Sequence, residues 1–379
     1  MSNDTKPTVW WCVTDIAILD IPPSLVESRV TTIETAWYEA ARLLQDGEVV
    51  AFPTETVYGL GASALNPRAL QKVFAAKHRP LDNPLIAHIA NRDQLTMLTD
   101  HVTDIEAQLM ETFWPGPLSI LLPAKPELPR ELTAGLPQVA VRMPAHEVAL
   151  GLIQAAGVPL AAPSANQSGR PSPTTSLHVL EDLAGRIAGV IDGGNCQVGI
   201  ESTVIEVQPD RILILRPGAI DAHALSAFGL PVEMDPHLLA PSEAAAITPR
   251  APGQKYRHYA PTGSLQVVFA KSDDAFWRYA EGRLKDAHSQ GKKVALLDGT
   301  RSIGADIVLP LGDTPTIAAA RLYRLLRDCD KEGIDLILAR GFGATPEVAT
   351  SAHQAVDPAT AALLNRLYKA SGGQFILVD

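Results

Sequence analysis

Cysteine is scarce. Cys12, Cys196 and Cys329 are the only three in 379 residues, and their spacing matches neither a metal-ligand set nor a disulfide framework. They read as buried or partly buried thiols of a reducing compartment. Long apolar runs are missing too. No stretch reaches the roughly 20 apolar residues that cross a bilayer, and Met1–Pro7 lacks a basic segment followed by an apolar one. The expectation is a cytoplasmic chain without a signal peptide. Cations are in the minority, 32 Lys and Arg against 42 Asp and Glu, for a formal net charge of -10. That balance argues against nucleic-acid binding over the whole surface, but it allows an anion held in one cation-lined cleft. A G-x-x-x-x-G-K-S/T loop is absent, which excludes ordinary P-loop chemistry. Neither an internal repeat nor a low-complexity tract interrupts the chain.

What is present describes a globular enzyme. Apolar residues make up 46% and charged residues 20%, too apolar for disorder, and the length predicts two domains. Residues 1–30 read as an N-terminal extension, in which Val9–Val13 and Ile16–Leu19 suit short strands or a packed segment. Apolar spacing predicts a helix over Ile33–Gln45, stopped by Gly47, then a buried strand over Val49–Phe52. A second helix starts at Asn66-Pro67, a cap followed by the proline that suits the first helical position, and ends near Lys77. Further strands are predicted at Leu85–Ile89, Leu118–Leu122, Val139–Arg142, Leu160–Ala162, Val190–Asp192, Thr203–Val207 and Ile212–Leu215. Helices are predicted around 103–113, 146–156 and 176–185. This is an α+β pattern without regular βαβ alternation.

Six prolines between Pro231 and Pro261 mark residues 223–262 as a connector. Within it, Lys255-Tyr256-Arg257-His258-Tyr259 is too rich in cations and aromatics for a plain spacer. From residue 263 on, short apolar runs at Leu265–Val268, Val294–Leu297, Ile307–Leu309 and Leu336–Leu338 alternate with helical patterns such as Ile317–Cys329. That alternation predicts a small α/β domain with an open, mostly parallel sheet.

Two polar clusters stand out: Lys77-His78-Arg79-Pro80 with Asn83 and His88, and Ala162-Pro163-Ser164-Ala165-Asn166 running on to Ser172. Two cations and then a hydroxyl and an amide at alternate positions suit a polyanionic substrate. By spacing alone, Lys77 and Arg79 equally suit a solvated helix end favoured by the helix dipole, and Ser164 and Asn166 suit a turn. Arg142 closes the buried run Val139-Ala140-Val141, where a cation needs an anionic partner from protein or ligand. Arg216 closes Ile212–Leu215 in the same way, and Glu201-Ser202-Thr203 opens a strand. Gly59-Leu60-Gly61 with Ala64 mimics a dinucleotide fingerprint, but the helix starts too late for one. Close backbone packing is the better reading of these glycines.

The stretches Phe52-Pro53-Thr54-Glu55-Thr56-Val57-Tyr58-Gly59-Leu60-Gly61, Lys77-His78-Arg79-Pro80, Asn83-Pro84-Leu85, Trp114-Pro115-Gly116-Pro117-Leu118, Val141-Arg142-Met143-Pro144, Ala162-Pro163-Ser164-Ala165-Asn166, Glu201-Ser202-Thr203-Val204 and Arg216-Pro217-Gly218 resemble the YrdC-like domain of threonylcarbamoyl-AMP synthases. The resemblance covers about residues 33–222 in family order. Pro252–Pro261, the domain after it and Asn365-Arg366-Leu367 resemble the two-domain branch. Residues 1–30, an apparent insertion at 344–360, and Gln138 in place of a hydroxyl residue depart from the pattern.

The resemblance implies an α+β fold: a YrdC-like twisted mixed sheet with flanking helices forming a concave cleft over 31–222, and a smaller C-terminal α/β Rossmann-like domain over 263–379. It implies a nucleotidyltransferase that condenses L-threonine, bicarbonate and ATP, with Mg2+ on the ATP phosphates. Lys77, Arg79, Ser164 and Asn166 would then be catalytic. They would bind ATP together with Asn83, Ser172, Arg216 and Tyr256. Apart from the resemblance, Tyr256 and its basic neighbours lead us to expect that the connector closes as a lid over the nucleotide. Thr56, His88, Arg142, Ala162 and Ser202 would bind threonine, with Arg142 on its carboxylate. The product would pass to the tRNA threonylcarbamoyltransferase machinery, and the chain would act as a monomer. The competing readings are an RNA-binding module with weak RNA affinity and a carbamoyltransferase that uses carbamoyl phosphate. Zinc-finger cysteines and an acylphosphatase-like segment, which would support the latter, are missing.

Overall fold

A computed structural model describes residues 6–13, 21–22, 24–238, 249–251, 259–342 and 358–379. They form two compact units. The first holds the residues up to Ser168, Ser172–Leu238 and 249–251; the second holds Gly169–Pro171 and the described residues from Tyr259 onward.

In the first unit twelve strands form one sheet: β1 (Thr8–Cys12), β2 (Val26–Val30), β3 (Val50–Phe52), β4 (Gly59–Ser63), β5 (Ile86–His88), β6 (Leu118–Pro123), β7 (Gln138–Arg142), β8 (Leu160–Ala161), β9 (Gly189–Asp192), β10 (Thr203–Gln208), β11 (Arg211–Arg216) and β12 (Val232–Met234). Their spatial order is β12-β11-β10-β6-β7-β5-β8-β4-β3-β9-β1-β2. The sheet is mixed, with β5 parallel to β7 and β6 antiparallel to it. Helices Ile33–Gln45, Pro67–Lys77, Asp104–Phe113, Glu147–Ala156 and Ser176–Leu183 match the sequence expectations to within a few residues. Local chemistry sets their ends. Asn66 caps the second from its side chain with Pro67 at the first position, and His78 ends it in a left-handed conformation, φ 52°. Thr103 and Glu106 form a reciprocal capping box on the third.

Two segments differ from the sequence reading. The N-terminal extension supplies β1, close to the expected Val9–Val13, and β2, which has no counterpart in the sequence reading, while Ile16–Leu19 lies outside the described residues; β1 is no mere extension, since it pairs in parallel with β9 inside the sheet. Trp10 and Trp11 explain this. Adjacent strand residues face opposite ways, and these two join different apolar clusters, each at most 1% exposed. At the other end, Val232–Met234, read as connector, forms the edge strand β12 beside β11. Pro231 is tolerated just ahead of an edge strand, where a missing N–H breaks no ladder. The glycines of the pseudo-fingerprint serve packing: a Cβ on Gly61 would lie 2.6 Å from the Phe52 ring.

The second unit carries five strands, β13 (Ser264–Ala270), β14 (Val294–Leu297), β15 (Ile307–Val308), β16 (Leu336–Arg340) and β17 (Phe375–Val378), in the order β15-β14-β16-β13-β17. All four pairings are parallel. Helices Asp273–Ser289, Pro315–Lys331 and Pro358–Ser371 lie between strands in the chain, as parallel crossovers require. β17 has no counterpart in the sequence reading. Asn365 and Arg366 are buried within this unit, where Arg366 Nη1 donates to Asn365 Oδ1 at 3.0 Å. Most of the apparent insertion at 344–360 lies outside the described residues.

Candidate active site

Strand direction alone gathers much of the chemistry. The C-terminal ends of β5, β7 and β11 and the N-terminal ends of β6 and β10 share one edge of the sheet. His88 ends β5, Arg142 ends β7, Arg216 ends β11, Ser119 lies near the start of β6, and Ser202 immediately precedes β10. His88 and Arg142 are register partners, so their side chains share a face.

Arg142, 4% exposed, is held on three sides. Nε donates to the Gly116 carbonyl at 3.1 Å, Nη1 to Thr56 Oγ1 at 3.0 Å, and Nη2 lies 2.7 Å from Glu55 Oε2. Thr56 in turn shares a 2.8 Å hydrogen bond with Thr54. Beside it, Arg216 donates through Nε to the Ser202 carbonyl and through Nη2 to Ser202 Oγ, which also meets Ser119 Oγ at 2.8 Å. The Arg216-Pro217-Gly218 turn presses on this strand start, since a Cβ on Gly218 would come within 2.3 Å of Thr203 N. Ser172 donates to Glu201 Oε1 at 2.6 Å. Burial, with the charges of Arg142 and Arg216 adding to it, pushes the His88 imidazole down to about 3. It is neutral at physiological pH, and its Nδ1 sits 3.1 Å from the Ile86 carbonyl.

The two polar clusters meet through Lys77. Its side chain is not solvated as a helix-end lysine would be; it is 1% exposed. Nζ donates to the Ser164 and Asn166 carbonyls, both at 2.5 Å, and reaches Asn166 Oδ1 at 3.4 Å. Ser164 Oγ donates to the same Oδ1 at 2.6 Å. The second cluster is pinned to the sheet as well: Leu60 N donates to the Pro163 carbonyl and Ala165 N to the Tyr58 carbonyl, both at 2.8 Å. Ala162 N donates to the Ile86 carbonyl at 3.0 Å. Arg79 is half-buried and donates through Nη2 to the carbonyls of Asn83 and Pro84. That bracing leaves the Asn83 carboxamide buried with neither its oxygen nor its nitrogen hydrogen-bonded among the described residues.

The predicted residues thus fall into a Lys77–Ser164–Asn166 group, an Arg79–Asn83 group, an Arg142–Thr56 group next to His88, an Arg216–Ser202 group, and Ser172 on Glu201. Tyr256 and residues 252–258 of the expected lid lie outside the described residues. Sequence reasoning missed Glu55, Ser119 and the Gly116 carbonyl as partners of the site. Glu55 sits inside a quoted motif, but nothing in local spacing points it at a residue 87 positions later. Gln138, the departure ahead of Arg142, donates to Glu206 Oε1 at 2.8 Å. Burial pushes the thiols up, Cys12 to about 11 and both Cys196 and Cys329 to about 12, which suits inert packing groups. A cavity of about 570 Å³ lies in the second unit, beyond the C-terminal ends of β14, β15 and β16, and none of the predicted residues lines it.

Comparison with known proteins bears on these groups. A family model described as Telomere recombination matches residues 42–218, and one described as Threonylcarbamoyl-AMP synthase, C-terminal domain, matches residues 220–372. The threonylcarbamoyl-AMP synthase of Pyrococcus abyssi is 44% identical over 339 residues, covering 89% of this chain and 95% of the relative. That of Bacillus subtilis is 42% identical over 357 residues, covering 93% and 97%. A crystal structure of Pyrococcus abyssi Sua5 complexed with L-threonine superposes with a TM-score of 0.84 at 42% identity, covering 93% of this chain and 98% of that one. With such identity running along nearly the whole sequence, the chain belongs to the threonylcarbamoyl-AMP synthase family, in its two-domain form.

Proposed function

We propose that the first unit converts L-threonine, bicarbonate and ATP into threonylcarbamoyl-AMP, pyrophosphate and water. The observation that carries the assignment of roles is the burial of three cations, Lys77, Arg142 and Arg216, in one unit of an acidic protein. Taking a cation out of water costs several kcal/mol in effective terms, and here hydroxyls and carbonyls hold each head group in a fixed place. Such fixed charge suits a reaction that moves negative charge between oxygens and needs no protein nucleophile.

In this reading Arg142 takes the threonine carboxylate, with Thr56, His88, Ala162 and Ser202 lining the amino-acid pocket. Neutral His88 offers a hydrogen bond without a competing charge. The threonine nitrogen captures carbon dioxide or bicarbonate as a carbamate. A carbamate oxygen then attacks the α-phosphorus while the bond to the β-phosphate breaks and pyrophosphate leaves. Lys77 and Arg79 stabilise the carbamate and phosphate oxygens. Ser164 and Asn166 flank the α-phosphate, and Asn83, Ser172 and Arg216 hold the nucleotide. Among the described residues no group of three His, Cys, Asp or Glu side chains converges on a metal position. Mg2+ would come with the nucleotide phosphates and neutralise their charge, keeping most of its waters, so that few protein ligands would be needed. The product is a mixed anhydride, and the tRNA threonylcarbamoyltransferase machinery would consume it. A monomer suffices for every role named.

The test is pyrophosphate release from ATP, with threonine and bicarbonate omitted in turn. Release that needs both supports the proposal. Release indifferent to either contradicts it.

A further inference from the structure

Glu55 is a buried charged group of the site that the proposed mechanism leaves without a task. It is 8% exposed. Oε2 lies 2.7 Å from Arg142 Nη2. Apart from that ion pair, neither carboxylate oxygen meets a hydrogen-bond donor among the described residues. The peptide is fixed, because the Glu55 carbonyl accepts from Val198 N at 2.8 Å.

An ionised carboxylate accepts at about four lone-pair positions, and an unfilled buried acceptor is costly to keep. A counter-ion for Arg142 needs only Oε2. Oε1 is left over, next to the guanidinium that reads the substrate carboxylate. An α-amino acid carries its carboxylate and its ammonium on the same carbon, so a carboxylate held by Arg142 brings an ammonium into reach of Glu55.

We propose that Glu55 Oε1 accepts a hydrogen bond from the α-amino nitrogen of the substrate, so that Arg142 and Glu55 together read an α-amino acid zwitterion at two points. This rests on the assignment of Arg142 to the substrate carboxylate. The same pair gives the carbamoylation step a direction. The ammonium first gives one proton to solvent; the neutral amine then forms its N–C bond with bicarbonate as the bicarbonate C–O bond breaks, and the departing hydroxide takes a second proton from nitrogen to leave as water. The attraction between ammonium and Glu55 then becomes repulsion between carbamate and carboxylate. Repulsion then disfavours the new anion at the place the ammonium held.

The experiment compares two ligands by titration calorimetry on the full chain: L-threonine, and 2,3-dihydroxybutanoate, in which a hydroxyl replaces the α-amino group. Wild type should prefer threonine by about 10- to 150-fold, the range for one charge-assisted hydrogen bond. Glu55→Gln should bring the two ligands to within about threefold of each other and leave the KM for ATP unchanged. Equal affinities in wild type, or a preference that survives intact in Glu55→Gln, would overturn the proposal and reduce Glu55 to a counter-ion. If Glu55→Gln does not fold, Glu55→Asp keeps the charge beside Arg142 and withdraws the oxygen by one methylene; the same ratio then decides. A separate arm uses Arg142→Gln. If that variant binds both ligands as wild type does, the assignment of Arg142 itself fails, and this result is distinct from a failure of Glu55.

Discussion

Replacing Lys77 with methionine removes an ammonium and keeps most of the stem that carries it. Two effects then compete. The chain no longer buries a charge, which favours the variant. Against that, the Ser164 and Asn166 carbonyls each lose a donor at 2.5 Å. A buried acceptor that loses a hydrogen bond costs up to about 1–3 kcal/mol, so the two together cost at most about 2–6 kcal/mol, with the part-buried Ser164 carbonyl at the low end. The ammonium is well satisfied in place, so the second effect should win, with a net loss of about 3 kcal/mol. For a unit of this size each kcal/mol lowers Tm by about 2–4 °C. Melting followed by circular dichroism should therefore show a drop of about 6–12 °C, with the loss confined to the transition of the first unit. A Tm equal to or above wild type would refute the reasoning, because it would mean that relief of the buried charge outweighs the lost hydrogen bonds.

Gly218→Ala places a Cβ within 2.3 Å of Thr203 N and 2.6 Å of Ser202 C. Backbone atoms must move, so a loss of about 2–3 kcal/mol is expected in urea unfolding; an unchanged midpoint would mean that the turn is free to open. The low position of His88, about 3 against an ordinary 6.5, means that the unfolded state binds a proton the folded state refuses. Its contribution is complete above about pH 6.5 and is lost as pH falls toward 3, at up to about 1.4 kcal/mol per pH unit. His88→Gln should flatten the decline of the urea midpoint between pH 6.5 and 4.5 by that amount, and parallel curves would contradict it. The raised thiols predict that Cys12, Cys196 and Cys329 resist alkylation at pH 8 in the native protein and all react in denaturant. Prompt native labelling of any of them would place it at the surface.

The buried cations that close strands were legible in the sequence. Arg142 and Arg216 stood at the ends of apolar runs, and a cation closing a buried strand has to find a partner. Strand direction then carried both to one edge of the sheet. Lys77 was harder. A lysine in the last turn of a helix has a good solvated solution, and its burial follows from carbonyls 87 and 89 residues away, which no local pattern encodes. Glu55 escaped for the same reason, since its partner Arg142 lies on a distant strand. Short edge elements were the other loss. β12 hid behind the prolines of its surroundings, and β17 is four residues at the chain end, where nothing after it marks a boundary. β1 was legible at Val9–Val13 as a strand or packed segment, but its place inside the sheet depends on the two different apolar clusters that Trp10 and Trp11 enter.

The central claim is that bicarbonate carbon becomes the carbonyl between threonine and AMP. Incubating the full chain with ATP, Mg2+, L-threonine and 13C-labelled bicarbonate, and then weighing the nucleotide products, tests it directly. The account predicts threonylcarbamoyl-AMP carrying the label, formed in step with pyrophosphate and missing when threonine is left out. Pyrophosphate released without a labelled adduct, or an adduct without the label, would contradict it.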